Sequence, residues 1–358
     1  MSEDTTDERE PLAEADVQPQ NEPLPETAAE AQPEAKAEAA AEPQPQPQPQ
    51  PKRPSGIDLG LTRLEARRAA KADARAAGDL RGQRARGWTE KLLTRTTSGA
   101  IYAIVILVCL IWGTVPTAVL VAGMGWLCCS EFFRMVRMSG RMPNEPIGLT
   151  AAVLFPLVPL VQVEGRNLTL LVMCALVIAA ACWYVYTPRA TIGDVALTVF
   201  GPVYTSLAFS SIVMIRMSDP GFAGGLLTFG VMGSVWVNDV AAYFVGSRFG
   251  RHKLVPHISP NKSVEGLWGG LAGCLVIWLL VAGLGVMGVT WPLAVLCAVL
   301  CGVASVVGDL FESRIKRGVG VKDSGNVMPG HGGLLDRSDS MLFGGMVAYV
   351  LLHLGGIL

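Results

Sequence analysis

Residues Ser313 to Asp339 read SRIKRGVGVKDSGNVMPGHGGLLDRSD. This segment sets Arg314, Lys316, Arg317, Lys322 and Arg337 beside Asp323, Asp336 and Asp339, with six glycines spaced among them. Cationic side chains, carboxylates and flexible glycine-rich backbone in one short segment are what a site for phosphate and a metal ion requires. Upstream, CAVLCGVASVVGDLFES carries Asp309 and Glu312 at the end of an apolar run. Downstream, MLFGGMVAYVLLHLGGIL is almost uncharged. Ionisable groups at a membrane boundary are costly, and they mark substrate or ion handling. The segment therefore points to an enzyme working at a membrane.

Ser305, Asp309, Glu312 and Lys316 follow an i, i+4, i+7, i+11 pattern and line one helical stripe. Glu312 placed four residues before Lys316 is also the favourable orientation for an ordinary structural ion pair. Asp309 has no such partner in sequence. Gly330-His331-Gly332-Gly333 can expose successive backbone N–H groups to an anion. Asp336 and Asp339 stand just before the last hydrophobic run. Carboxylates from different elements, next to phosphates, suit a hard divalent cation with oxygen ligands, most readily Mg²⁺. Zinc is disfavoured, because His331 has no Cys or His companion at ligand spacing.

A second polar cluster lies in WVNDVAAYFVGSRFGRHKLVPHISPNKSVEGLWGG. Asp239 sits inside an apolar run, with Tyr243 four residues on and on the same helical face. Arg248, Arg251, Lys253 and Lys262 follow, broken by Pro256 and by the turn-forming Ser259-Pro260-Asn261. Glu265-Gly266 then leads into the next apolar run. Lys and Arg with serine hydroxyls and open amides can hold a triphosphate. An ordinary basic loop would carry similar charges, but an intramembrane aspartate favours a functional site.

Positioning these clusters falls to hydrophobic segments near the roughly 20 residues that a span needs. Nine are expected, at about 98–114, 116–136, 147–163, 168–187, 191–216, 222–246, 264–288, 291–312 and 340–357. The first two are tightly joined around Pro116, so a re-entrant element over 98–136 is an alternative. With the N-terminus inside, the inner segments hold Arg134, Arg137, Arg141, Arg189, Arg248, Arg251, Lys253, Lys262 and all five cations of 313–339. The outer loops hold only Arg166 and Arg216. That asymmetry follows the positive-inside rule and puts both polar clusters on the cytoplasmic face. The expected fold is an all-α polytopic integral membrane protein of about nine transmembrane helices with cytoplasmic catalytic loops.

Residues 1–60 are an acidic, Pro/Gln/Ala-rich tail ending in PQPQPQPQPK, too poor in apolar surface to offset the entropy of ordering, and disorder is expected there. Residues 61–97 turn basic and Ala/Arg-rich, as a linker or a helix on an anionic lipid surface. No cleaved signal peptide is expected, because no charged n-region and h-region open the chain. The eight cysteines fall in or beside the hydrophobic segments without a CxxC pair, and they read as small buried apolar side chains.

Ser313, Ile315-Lys316-Arg317, Lys322-Asp323, Gly325, Pro329, His331-Gly332-Gly333-Leu334, Asp336-Arg337 and Asp339 resemble the C-terminal signature of the phosphatidate cytidylyltransferases (CDP-diacylglycerol synthases). Met328 stands where that family usually has Leu, Ile or Phe, and Ser338 where an apolar residue or Thr is usual. Asp239, Ala242-Tyr243, Gly246, Gly250-Arg251, Lys253, Ser259-Pro260-Asn261-Lys262-Ser263 and Glu265-Gly266 are similar to the family's second region. The resemblance covers residues 98–358 and makes them a membrane cytidylyltransferase domain.

The resemblance implies a homodimeric enzyme of a bacterial plasma membrane that joins CTP to phosphatidate and releases pyrophosphate. It implies metal-binding by Asp309 and Asp336, with a paired Mg²⁺ and K⁺ centre. Lys316, Arg317, Lys322 and Arg337 become candidates to neutralise phosphates, with Asp323 and His331 beside them. Asp239, Tyr243, Lys253, Ser259, Asn261, Lys262, Ser263, Gly332 and Gly333 become candidates for substrate binding. Phosphatidate is already an anionic nucleophile, so positioning and electrostatics carry the reaction and no Ser or Cys nucleophile is needed. Membrane lipids are expected partners and nucleic acid is not. The rival readings are another membrane lipid-phosphate transferase and an anion transporter. A transporter would set its charges near the bilayer midplane between repeats, whereas here they gather at one face.

Overall fold

Lipid offers no partner to a bare N–H or C=O, so long apolar segments fold as helices that satisfy both groups internally. The computed structural model describes residues 97, 99–161, 167–325, 327 and 332–358, and the chain is helical over most of them. The helices are α1 (Gly99–Trp112), α2 (Thr114–Met138), α3 (Glu145–Leu157, continued by a 3-10 turn, Val158–Leu160) and α4 (Leu168–Tyr186). Then follow α5 (Ile192–Pro202), a π turn (Val203–Leu207), α6 (Ala208–Met217) and α7 (Phe222–Phe249). Last come α8 (Val264–Gly283), α9 (Trp291–Gly318) and α10 (Asp339–Leu354).

Each expected hydrophobic segment holds an apolar helix. Six helical stretches among the described residues are long and apolar enough to cross a membrane: α2, α4, Ile192–Met217, α7, α8 and α9. The chain is an all-α polytopic integral membrane protein. α1, α3 and α10 are shorter apolar helices. The tail at 1–60, nearly all of the basic stretch 61–97, and Arg166 and His331 lie outside the described residues.

The break between the first two helices falls at Gly113 rather than at Pro116. Gly113 takes φ +139°, which other residues rarely adopt. Pro116 sits in the first turn of α2, where its missing N–H has no intrahelical partner to lose. Pro202 ends α5, and the chain bulges into the π turn. This turn presents Tyr204 to an aromatic cluster. Its ring centroid lies 5.3 Å from Phe311, 5.6 Å from Phe200, 6.0 Å from Phe132 and 6.3 Å from Phe343. α2, α5, α9 and α10 therefore meet through one packed patch directly behind the charged end of α9.

The C-terminal helices pack in sequence, α7 on α8, α8 on α9 and α9 on α10, and α10 also lies against α6. Gly266, Gly269, Gly270 and Gly273 form the face of α8 turned to α7. A Cβ at Gly269 would come within 2.5 Å of Val245, and one at Gly270 within 2.9 Å of the Asn238 carbonyl. Small residues at such a seam let helix backbones approach closely. Between these two helices runs an antiparallel hairpin, β1 (Lys253–Val255) with β2 (Ser259–Ser263). The segment read as a turn at Ser259-Pro260-Asn261 is thus a strand. Its single partner leaves it an edge strand, where proline is tolerated.

Arg216, read from sequence as an outer loop charge, is buried at 2% exposure near the end of α6. Its Nε donates to the Leu110 carbonyl at 3.0 Å and its Nη1 to the Asp219 carbonyl at 2.7 Å. One guanidinium thus satisfies carbonyls at the end of α1 and in the α6–α7 turn. Arg216→Met leaves those acceptors unpaired and is expected to lower stability by about 2 kcal/mol. Thermal unfolding in detergent reads this as a lower midpoint, and an unchanged midpoint would remove the clamp.

Candidate active site

α9 carries its charged stripe out of the apolar layer along one face. Ser305 and Glu312 are fully buried and Lys316 nearly so. The Lys316 ammonium donates to Glu312 Oε2 at 3.2 Å and to Asp336 Oδ1 at 2.7 Å. The structural ion pair expected from i, i+4 spacing is therefore present, and it extends to a carboxylate on the far side of the glycine-rich loop. Asp309, without a cationic partner in its own segment, pairs with Lys262 of β2 at 2.7 Å and accepts from the Ser313 hydroxyl at 3.2 Å. That contact joins the two polar clusters.

Asp336 lies in a short 3-10 turn (Leu335–Arg337) just ahead of α10. Besides Lys316 it accepts the Ser324 N–H at 3.0 Å and the Gly333 N–H at 3.0 Å. The amide of Gly333 is thus directed at the protein's own carboxylate. Burial works against the Asp336 charge, but the Lys316 ammonium and the Ser324 amide outweigh it and hold the carboxyl below its ordinary value. Gly332 takes φ +88° to make the turn. A Cβ at Gly333 would run into the Ser324 hydroxyl and the Glu131 carboxylate.

Lys262, Asp309, Lys316 and Asp336 border a cavity of about 1130 Å³. Of the expected site residues, Asp239, Tyr243, Lys253, Asn261, Lys262, Ser263, Asp309, Lys316, Asp336 and Arg337 line it. Asp339 and Ser340 of α10 complete the polar wall, and the Ser340 hydroxyl donates to Asp239 Oδ1 at 3.3 Å. Ser263 has a second task, since its hydroxyl caps α8 by accepting the Gly266 N–H at 3.1 Å. Glu265 anchors the approach to the hairpin, accepting the Arg251 N–H at 3.0 Å.

Ser259, Arg317, Lys322, Asp323, Gly332 and Gly333 are not on the cavity wall. Lys322 and Asp323 are exposed, and Arg317 donates to the Val321 carbonyl at 3.1 Å. His331 falls outside the described residues.

Asp239, Asp309, Asp336 and Asp339 present oxygen donors only, which fits a hard divalent cation better than zinc. Among the described residues, no three His, Cys, Asp or Glu side chains are gathered at ligand spacing. Asp309 and Asp336 are each neutralised by a lysine instead.

Glu131 of α2 was missed by sequence reasoning. It is buried at 3% exposure and accepts from the Ser324 hydroxyl and from the N–H groups of Leu334 and Leu335. A signal was present, because a carboxylate within an otherwise apolar span marks a site by default.

Comparison with known proteins places this geometry. The model of the cytidylyltransferase family matches residues 93–355. The chain is 33% identical over 264 residues to the phosphatidate cytidylyltransferase of Bacillus subtilis, covering 73% of this chain and 97% of that protein. It is 32% identical over 254 residues to the phosphatidate cytidylyltransferase of Synechocystis, covering 63% of this chain and 84% of that one. Over 151 residues it is 41% identical to the phosphatidate cytidylyltransferase of Brucella suis, covering 42% and 54%.

Because its folded-state pKa is depressed, Asp336 adds stability that is fully present above the ordinary carboxylate pKa, about 3.9, and is lost as pH falls through the lower folded value. The midpoint difference between the wild type and Asp336→Asn, measured in detergent with a chelator present, is expected to be constant above about pH 5 and to shrink below it. A difference that widens on acidification would contradict the pairing with Lys316.

Proposed function

The chain belongs to the cytidylyltransferase family, and from that premise we propose how its cavity works. The protein is a membrane nucleotidyltransferase of phospholipid biosynthesis that makes CDP-diacylglycerol from CTP and phosphatidate. An oxygen of the lipid phosphate attacks the α-phosphorus of CTP, and the bond to the β-phosphate oxygen breaks. Pyrophosphate leaves with the electron pair. The observation that carries this reading is the joining of both motifs on one cavity wall through Lys262–Asp309 and Lys316–Asp336.

The difficulty in this reaction is bringing two polyanions together, and positioned charge is the remedy. Lys262, Lys316, Lys253 and Arg337 face the cavity and meet the phosphates there. Asn261 and Ser263 hold the nucleotide beside them, and Tyr243 and Asp239 border the same space. Arg317, Lys322 and Asp323, which lie off the cavity wall, are with His331 proposed as outer contacts for the phosphates. Asp309 and Asp336 would hold Mg²⁺, which when bound supplies charge neutralisation at the phosphates, with K⁺ as a second ion.

The wider setting belongs to the same proposal. The nine apolar segments expected from the sequence all span a bacterial plasma membrane, with the N-terminus and the active site on the cytoplasmic side, and the protein works as a homodimer among membrane lipids. The basic residues on the segments that join the helices at the site's end support this orientation.

Purified protein in detergent, given labelled CTP, phosphatidate and Mg²⁺, is expected to form CDP-diacylglycerol. Asp309→Asn and Asp336→Asn should each abolish product while the protein stays monodisperse, and the double variant should be little worse than either alone. A well-folded Asp309→Asn enzyme with normal turnover and unchanged Mg²⁺ dependence would remove the metal assignment there. In a cysteine-depleted background, labels at His257→Cys and Val327→Cys are expected from the cytoplasmic side and one at Thr290→Cys from outside. Labelling of positions 257 and 290 from the same side would overturn the nine-span arrangement.

A further inference from the structure

We infer that Glu131, a residue of α2 that belongs to neither motif, is a positioning residue for cytidylyl transfer, acting on the catalytic loop through Ser324 and Gly333. The inference rests on the cytidylyltransferase reading above. Glu131 Oε1 accepts the Leu334 N–H at 3.0 Å, and Oε2 accepts the Leu335 N–H at 2.8 Å and the Ser324 hydroxyl at 3.2 Å. A Cβ at Gly325 would lie 2.5 Å from Oε1, and one at Gly333 would lie 2.7 Å from Oε2. Both glycines leave the room this carboxylate occupies. A carboxylate in an apolar interior is costly unless it is fully hydrogen-bonded, and a span that needed only volume here would be served by an apolar residue.

Ser324 links the two sides of the loop. Its hydroxyl goes to Glu131, while its N–H goes to Asp336. Gly333 packs against Glu131 and donates its N–H to Asp336. The position of the Glu131 carboxylate therefore sets where both amides point, and those amides set Asp336, which holds Lys316 at 2.7 Å on the cavity wall. Glu131 itself is not on that wall. Its influence reaches the reaction through geometry, where a displacement of about 1 Å can cost about a hundredfold in rate.

Glu131→Gln keeps the volume but turns an NH₂ group toward one of two backbone N–H donors, and the loop must shift. In monodisperse protein, the kcat for CDP-diacylglycerol formation is expected to fall about a hundredfold, with KM for phosphatidate changed by less than about threefold. Ser324→Ala removes one donor without stranding an amide. It is expected to lower kcat by about tenfold, and it decides the question if Glu131→Gln does not fold. Arg216→Met, a comparably buried charge at the end of the bundle where α7 begins, serves as the control. It should lose stability and keep wild-type kcat per folded molecule. Wild-type kcat and KM in Glu131→Gln, or in Ser324→Ala where the first variant does not fold, would overturn the positioning role. So would losses that merely track the folded fraction, as in Arg216→Met. Absence of product from the wild-type enzyme would instead remove the cytidylyltransferase reading on which this one rests.

Discussion

A charge can enter an apolar bundle only with its partner, because removing an ion from water costs several kcal/mol that poor geometry cannot return. Lys316 is where this constraint organises the molecule. It leaves the apolar layer on α9, is nearly buried, and has carboxylates on both sides, Glu312 one helical turn back and Asp336 across the loop. Asp336 in turn orders the amides of Ser324 and Gly333, and those residues pack on Glu131 from α2. The aromatic cluster around Tyr204 keeps the end of α9 in register with α2, α5 and α10, so the charged chain has a firm backing.

The helices were legible because hydrophobic runs and polar breaks are written locally. Where α9 ran past its expected end, charge was the reason. α9 continues to Gly318, past the expected limit at 312, because Glu312 and Lys316 satisfy each other along the helix and need not leave it. The first junction shifted from Pro116 to Gly113, since a proline fits inside the opening turn of a helix whereas a φ of +139° calls for glycine. The hairpin was read as a turn because a three-residue and a five-residue strand carry too little periodicity to be recognised.

The site was legible where chemistry clusters in sequence. Asp309, Lys316, Asp336 and Arg337 could be named from one segment, and Asp239, Asn261 and Lys262 from another. The contact between Lys262 and Asp309 could not be read, since nothing local to either residue records the other. The partners of Glu131 were hidden for the same reason, two hundred residues of chain separating them from it, although a carboxylate in an apolar span was itself a visible signal. The glycine-rich run was read as a cradle for an outside anion. Gly333 has its amide on Asp336 instead, a use that the same composition permits equally well.

The formal charges along the cavity wall cancel, with Asp239, Asp309, Asp336 and Asp339 set against Lys253, Lys262, Lys316 and Arg337. A surface balanced in this way exerts little attraction beyond the Debye length of about 8 Å at physiological salt. It does not draw in a polyanion as a uniformly basic cleft would. Selection is deferred to contact, when an arriving phosphate exchanges places with an internal carboxylate and takes over its lysine. Before a metal ion binds, encounter with the nucleotide should therefore depend only weakly on ionic strength, and discrimination among anions should appear in how long they stay rather than how fast they arrive.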